Sequence, residues 1–244
     1  MDHLDKDIFS IQETRDLLKQ ASSAQEVIAG FSQEKVDAIT QAMVEAAYQH
    51  AESLAELAVR ETGIGRVEDK IAKNQFASRA VWDYIKDMRT AGVIREDTAA
   101  GIVEIAEPMG VVAGIIPTTN PTSTIIFKTI IAVKARCGIV MSPHPRAIEC
   151  SRETTRVVTE AAVKAGAPEG LIACLSVSTR EATHELMTNR LTSVILSTGG
   201  SDLVKASYSS GKPAFGVGPG NVPAFIERSA DIDRAVADII SSKT

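Results

Sequence analysis

The stretch GIIPTTNPTSTIIFK, residues 114–128, sets Asn120 between Thr119 and Pro121 where the hydrophobic pattern changes period. The polar cluster sits at a strand-to-helix turn, and in an open α/β sheet ligands bind there, beyond the carboxyl ends of the strands. The plainer alternative is an asparagine that merely closes a turn. Three more polar, glycine- or proline-rich stretches share its setting after a short apolar run: SPHPRA (142–147), STGGS (197–201) and GVGPGN (216–221). One alone is what any turn demands, but four on one edge of a sheet would make a cleft. Other chemistries lack their residues. No GxGxxG follows the first strand of the α/β region, and there is no GxxxxGK[ST] and no GxSxG. His3, His50, His144 and His184 show no metal-ligand spacing, so no metal is expected.

Alternating elements must hold these turns. Residues 10 to about 90 carry apolar residues at three- and four-residue spacing in three runs, 17–31, 31–63 and 67–88, with SQEK and the Gly63–Gly65 pair as start and stop signals. In GVIREDTAAGIVEIAEPMG, Ile102, Ile105 and a turn at Thr98–Gly101 suggest a β-hairpin or an extended excursion. From Gly110, GVVAGIIP, GIVMSP, LIACLSV, SVILSTG and PAFGVG read as buried strands, with four helical stretches between them. Five strands with four crossovers predict a doubly wound, mostly parallel sheet. After Gly220, VPAFIE reads as a further strand and DIDRAVADIISSKT as a helix.

Bulk properties exclude several classes. The 244 residues carry a formal charge of −5, which argues against nucleic-acid and membrane-surface roles. No apolar run is long enough to span a bilayer, and MDHLDKDIFS is unlike a secretory signal. Cys137, Cys150 and Cys174, an odd set without CxxC spacing, read as reduced thiols of a cytoplasmic protein.

The order PTTNPTS, SPHPRA, AGAPEGLI, STGGSDLVKASYSSGKPAFGVGPGNVPAFI resembles the aldehyde dehydrogenase superfamily over essentially the whole chain. SPHPRA and KPAFGVGPGNVP are similar to its CoA-acylating branch, which includes acylating acetaldehyde dehydrogenases and the aldehyde dehydrogenase half of bifunctional aldehyde–alcohol dehydrogenases. The resemblance implies an α/β fold of N-terminal helices followed by a Rossmann-like, doubly wound five-stranded sheet. It divides the chain into a helical segment (1–95), a hairpin excursion serving oligomerisation (96–109), an NAD(P)-binding domain (110–220) and the start of a catalytic domain (221–244). It also implies that the chain stops at Thr244 short of the nucleophilic cysteine.

By the same resemblance, Asn120 donates its amide to the aldehyde oxygen while a cysteine thiolate attacks the carbonyl carbon. Ile116, Pro117 and Thr118 would line the nicotinamide side, and Ser142, Pro143 and His144 the adenosine ribose. Gly166 and Pro168 would flank the adenine. Thr198, Gly199 and Gly200 would admit the pyrophosphate to a helix N-terminus, with Gly218 completing the cofactor set. Gly199 is expected to be least tolerant of a branched side chain, for lack of space and for a positive φ. The lysine and glutamate that hold ribose hydroxyls in hydrolytic relatives are missing, which leaves NAD and NADP both open. Val217 stands where those relatives carry the glutamate that activates water, so the acyl group would pass to coenzyme A. The three cysteines do not match the nucleophile and read as packing thiols. The expected activity is oxidation of a short aldehyde to acyl-CoA by a homo-oligomer, a dimer or higher. The alternatives are a non-catalytic nucleotide-binding or assembly module and a hydrolytic aldehyde dehydrogenase.

Overall fold

Apolar residues at helical spacing produce the N-terminal third of the protein, whose computed structural model describes residues 3–220 and 223–243. The helices are α1 (His3–Ala29), α2 (Gln33–Gln49), α3 (Ala51–Thr62), α4 (Val67–Gln75) and α5 (Val81–Ile85). Ser32 caps α2 by accepting the Lys35 amide, and Gly63, left-handed at φ 67°, closes α3. The long run 31–63, expected as one helical stretch, breaks at His50, whose Nδ1–H donates to Ala46 O at 2.8 Å. Between α4 and α5 lies a π turn, Phe76–Ala80, that periodicity does not announce.

The predicted hairpin is present as β1 (Gly92–Asp97) and β2 (Ile102–Ala106), starting four residues before 96. Its Val93, Ile94, Ile102, Val103 and Ile105 are exposed. The five apolar runs form β3 (Val111–Ile115), β4 (Gly138–Ser142), β5 (Ile172–Cys174), β6 (Thr192–Thr198) and β7 (Ala214–Val217). The intervening helices are α6 (Pro121–Lys134), α7 (Ile148–Lys164), α8 (Arg180–Thr188) and α9 (Ser201–Tyr208). All five strands are parallel, in the order β5-β4-β3-β6-β7.

Alternation along the strands builds two cores. Val112, Ile139, Met141 and Val194 meet α2, α6 and α7 on one face of the sheet, while Val111, Ala113, Ile115, Val140 and Ile195 meet α1 and α8 on the other. Gly138 makes the second packing possible, because a Cβ there would lie 2.9 Å from the backbone oxygen of Ala21 in α1.

The run VPAFIE departs from expectation. Val222 lies outside the described residues, and 223–227 form no strand, with Phe225 91% exposed. A strand needs a neighbour to take its ladder bonds, and none of the described strands lies alongside. The expected helix follows as α10 (Ile232–Lys243).

Candidate active site

Chain order locates the crevice. From β3 the chain winds outward through β4 to β5, then α8 carries it across to β6 on the other flank of β3. The β3/β6 seam is therefore the topological switch point, beyond whose carboxyl ends an α/β sheet binds its ligands. The floor is held by Lys128 of α6. Its ammonium donates to Ile115 O at 2.6 Å and Leu196 O at 2.7 Å, carbonyls near the ends of both seam strands. Burial pulls the Lys128 pKa down to about 7, while the two carbonyls favour its charged form.

The turn after β3 carries Asn120 at the N-cap position of α6, with φ −140° and ψ 58°. Ser32 and Thr179, at N-cap positions of other helices, accept first-turn amides; Asn120 does not. Its Oδ1 instead accepts from Lys73 Nζ of α4 at 3.1 Å. Two more bonds from α4 grip the same turn. Lys70 Nζ donates to Thr119 O at 2.8 Å, and Asn74 Oδ1 accepts from Thr122 Oγ1 at 2.8 Å. Burial lowers the Lys70 pKa, with neighbouring Lys73 adding to it. Among the described residues nothing accepts from Asn120 Nδ2, so the side chain does not close its own turn. An uncommitted donor at a switch point can stabilise an oxyanion.

The other expected site residues divide. Ile116 is buried in the core, and its N–H donates to Ser142 O at 3.0 Å. Pro117 and Thr118 are half-buried beside Asn120. Thr118 Oγ1 is buried with no partner among the described residues, as is Ser197 Oγ near the end of β6. Ser142 ends β4, but its hydroxyl turns inward to Thr183 Oγ1 at 2.8 Å. Pro143 O accepts from Ser178 Oγ at 2.5 Å, and His144 Nδ1 accepts from the Arg146 amide at 3.1 Å. Desolvation, and then Arg146, lower the His144 pKa, so at neutral pH the ring holds its proton on Nε2. Thr198 ends β6, Gly199 follows it, and Gly200 takes the N-cap position of α9, whose first amides lack intrahelical acceptors. A Cβ on Gly200 would meet nothing within 4 Å. Gly218 follows β7 on the same edge.

Two expectations change. Gly199 is not among the positive-φ glycines; its constraint is Leu203 Cδ2, 3.0 Å from where a Cβ would sit. Gly166 and Pro168 are not brought to the crevice. They lie between α7 and β5, and α7 returns the chain to the amino ends of the strands, where Leu171 O accepts from Ile139 N. The segment that leaves β5 at the crevice edge is Leu175–Ser178.

All three thiols are shifted toward the protonated form. Burial raises Cys137; burial, then Glu61, raises Cys150; burial pushes Cys174 up to about 12. Among the described residues no group of three His, Cys, Asp or Glu could hold a metal, and no helix is long and apolar enough to cross a membrane. Sequence reasoning missed Lys70, Lys73, Asn74, Lys128 and Ser197. The spacing of 70, 73 and 74 put them on one helix face without saying what that face meets.

Residues 10–244 match the model of the aldehyde dehydrogenase family. The chain is 46% identical to the bifunctional aldehyde-alcohol dehydrogenase of Escherichia coli (strain K12) over 237 residues, 97% of this chain and 27% of that protein. Among solved structures, an acetylating aldehyde dehydrogenase from Geobacillus thermoglucosidasius is 56% identical with a TM-score of 0.90, covering 98% of this chain and 53% of that one. A propionaldehyde dehydrogenase from Rhodopseudomonas palustris, solved with bound CoA and an acylated cysteine, is 30% identical with a TM-score of 0.77, covering 93% and 52%. The chain thus spans about a quarter of the first of these relatives and about half of the other two.

Proposed function

We propose, from the premise that this chain belongs to the aldehyde dehydrogenase family, that it forms the dinucleotide-binding and oxyanion-donating part of a CoA-acylating enzyme. The activity is oxidation of a short aldehyde to an acyl-CoA with reduction of NAD or NADP. The observation that carries this reading is the 56% identity, over 98% of the chain, to an acetylating aldehyde dehydrogenase.

The crevice suits a dinucleotide. Two orphaned hydroxyls, Thr118 Oγ1 and Ser197 Oγ, lie at its base, and Gly199–Gly200 leave the backbone bare at the start of α9. Pro117 and Thr118 would flank the nicotinamide, Thr198–Gly200 the pyrophosphate, and Ser142–His144 with Leu175–Ser178 the adenosine end. When bound, the dinucleotide accepts the hydride that leaves the aldehyde carbon. Asn120 Nδ2 donates to the aldehyde oxygen as charge gathers there, an interaction worth about 3 kcal/mol in the transition state. Lys128 keeps the two seam strands at fixed separation beneath it. Val217 ends β7 as an apolar side chain and cannot draw a proton from water, which favours transfer of the acyl group to the CoA thiol.

The attacking thiolate would come from outside these 244 residues, because burial shifts all three thiols here toward the protonated form. Residues 1–95 would support the cofactor domain at 110–220, and 221–244 would begin the catalytic domain. The exposed apolar hairpin would join copies in a cytoplasmic homo-oligomer. Purified chain given aldehyde, NAD and CoA should form no NADH, whereas the complete polypeptide should form NADH and acyl-CoA, identified by mass spectrometry. Turnover by the isolated chain, or free acid formed by the complete polypeptide without CoA, would overturn the reading.

A further inference from the structure

We infer that Lys73 is a positioning residue for acyl-enzyme formation: its ammonium, 3.1 Å from Asn120 Oδ1, decides which end of the Asn120 amide faces the crevice. The inference rests on the reading of Asn120 as the oxyanion donor.

A carboxamide has two ends of nearly equal shape and opposite function, an oxygen that only accepts and an NH2 that only donates. Rotation about the last side-chain bond exchanges them, since that torsion is broad and roughly two-fold. A turn residue that caps its own helix settles the choice by taking a backbone N–H on its oxygen. Asn120 makes no such bond, so an outside group must settle it. An ammonium carries three donors and no acceptor, so the end of the amide that faces Lys73 is the oxygen. The NH2 is thereby turned the other way, where a developing oxyanion needs a donor. With the ends exchanged, the amide oxygen would face that charge and oppose it.

Lys73 is suited to this task and to little else. No carboxylate among the described residues pairs with it, although most of the ion pairs run between exposed side chains like its own. Its neighbours already carry the structural load. Buried Lys70 holds the Thr119 carbonyl, and buried Asn74 holds Thr122. A single exposed polar bond adds little to folding. Loss of Lys73 should therefore spare the turn and release the amide.

The test is a double-mutant cycle in the complete polypeptide that carries this chain, reading the pre-steady-state burst of NADH. Lys73→Met should slow the burst about three- to tenfold, with dinucleotide affinity and unfolding midpoint unchanged. Lys73→Arg, which keeps a cationic donor, should restore most of the rate. Asn120→Ala should slow the burst about 100-fold, and adding Lys73→Met to it should change nothing further, because there is no amide left to orient. A normal burst in Lys73→Met, or the same further loss in the Asn120→Ala background as in wild type, overturns the role of Lys73 alone. An unchanged burst in Asn120→Ala removes the oxyanion reading, and this inference with it.

Discussion

Replacing Lys128 by methionine keeps the unbranched stem, one atom shorter, and removes the ammonium that joins Ile115 O to Leu196 O. The side chain is 3% exposed, so the charge sits where solvent screens it little. Burial lowers its pKa from 10.5 to about 7. The sign follows from proton counting. Between pH 7 and 10.5 the unfolded chain holds a proton on this lysine that the folded chain has lost, so raising the pH favours the folded state. Each pH unit is worth about 1.4 kcal/mol for one full proton, so the window could add about 5 kcal/mol. The two short carbonyl bonds favour the ammonium and act against that gain. Below pH 7 both states are protonated and the contribution is flat. Urea unfolding at intervals from pH 6.5 to 10 would read it as the difference between wild type and Lys128→Met, so that other titrating groups cancel. Wild type should gain stability on the variant as pH rises. Parallel stability curves would show that the carbonyl partners hold the charge through this range and would refute a deprotonating lysine beneath the seam.

Gly199→Val should weaken NAD binding at least tenfold by calorimetry while costing under about 1 kcal/mol of stability, because its Cβ meets only the mobile end of Leu203; equal affinity would place the cofactor on other turns. Glu61→Ala should lower stability by about 1–2 kcal/mol in thermal unfolding, since both carboxylate oxygens accept first-turn amides of α7, from Glu149 and Cys150, at 2.7 Å; an unchanged midpoint would mean that water serves those amides as well. The three thiols should resist an aromatic disulfide reagent at pH 8 until the chain unfolds, because each is shifted toward the protonated form; one fast-reacting native thiol would reopen the question of an internal nucleophile.

The sheet was legible because buried parallel strands leave an unmistakable trace. GVVAGII, GIVMS and SVILS are short, apolar, β-branched runs ended by turn residues, and each became a strand within a residue or two of its expected limits. VPAFIE has the same composition, but a strand needs a partner, and composition says nothing about partners. The turns were legible as turns, and all four leave the sheet at one edge because parallel topology requires it. Gly166–Pro168 show the limit of that reasoning: their glycine and proline mark a turn as clearly as the others, yet the turn follows a helix, and so falls on the opposite edge. Lys73 was invisible for a different reason. Its role depends on an ammonium reaching 47 residues along the chain, and no local pattern records a tertiary contact.

The π turn at 76–80 sets a rule for insertions and deletions. Asn74, before it, bonds Thr122 at the start of α6, and Trp82, after it, lies near Lys134 at the end of α6. Eight residues of unbroken α-helix would set these two about 80° apart around the axis. A π turn absorbs one residue without advancing the helix, which brings them within about 20°, on one stripe along α6. The chain therefore carries one residue more in this stretch than its contacts require. Losing one residue from 76–80 would leave an ordinary helix with both faces still on α6. The same loss between 71 and 73 would swing Lys70 and the residues before it about 100° away from the Asn120 turn. Length variation in this helical run is thus confined to five positions, and the geometry that holds the amide is insulated from it.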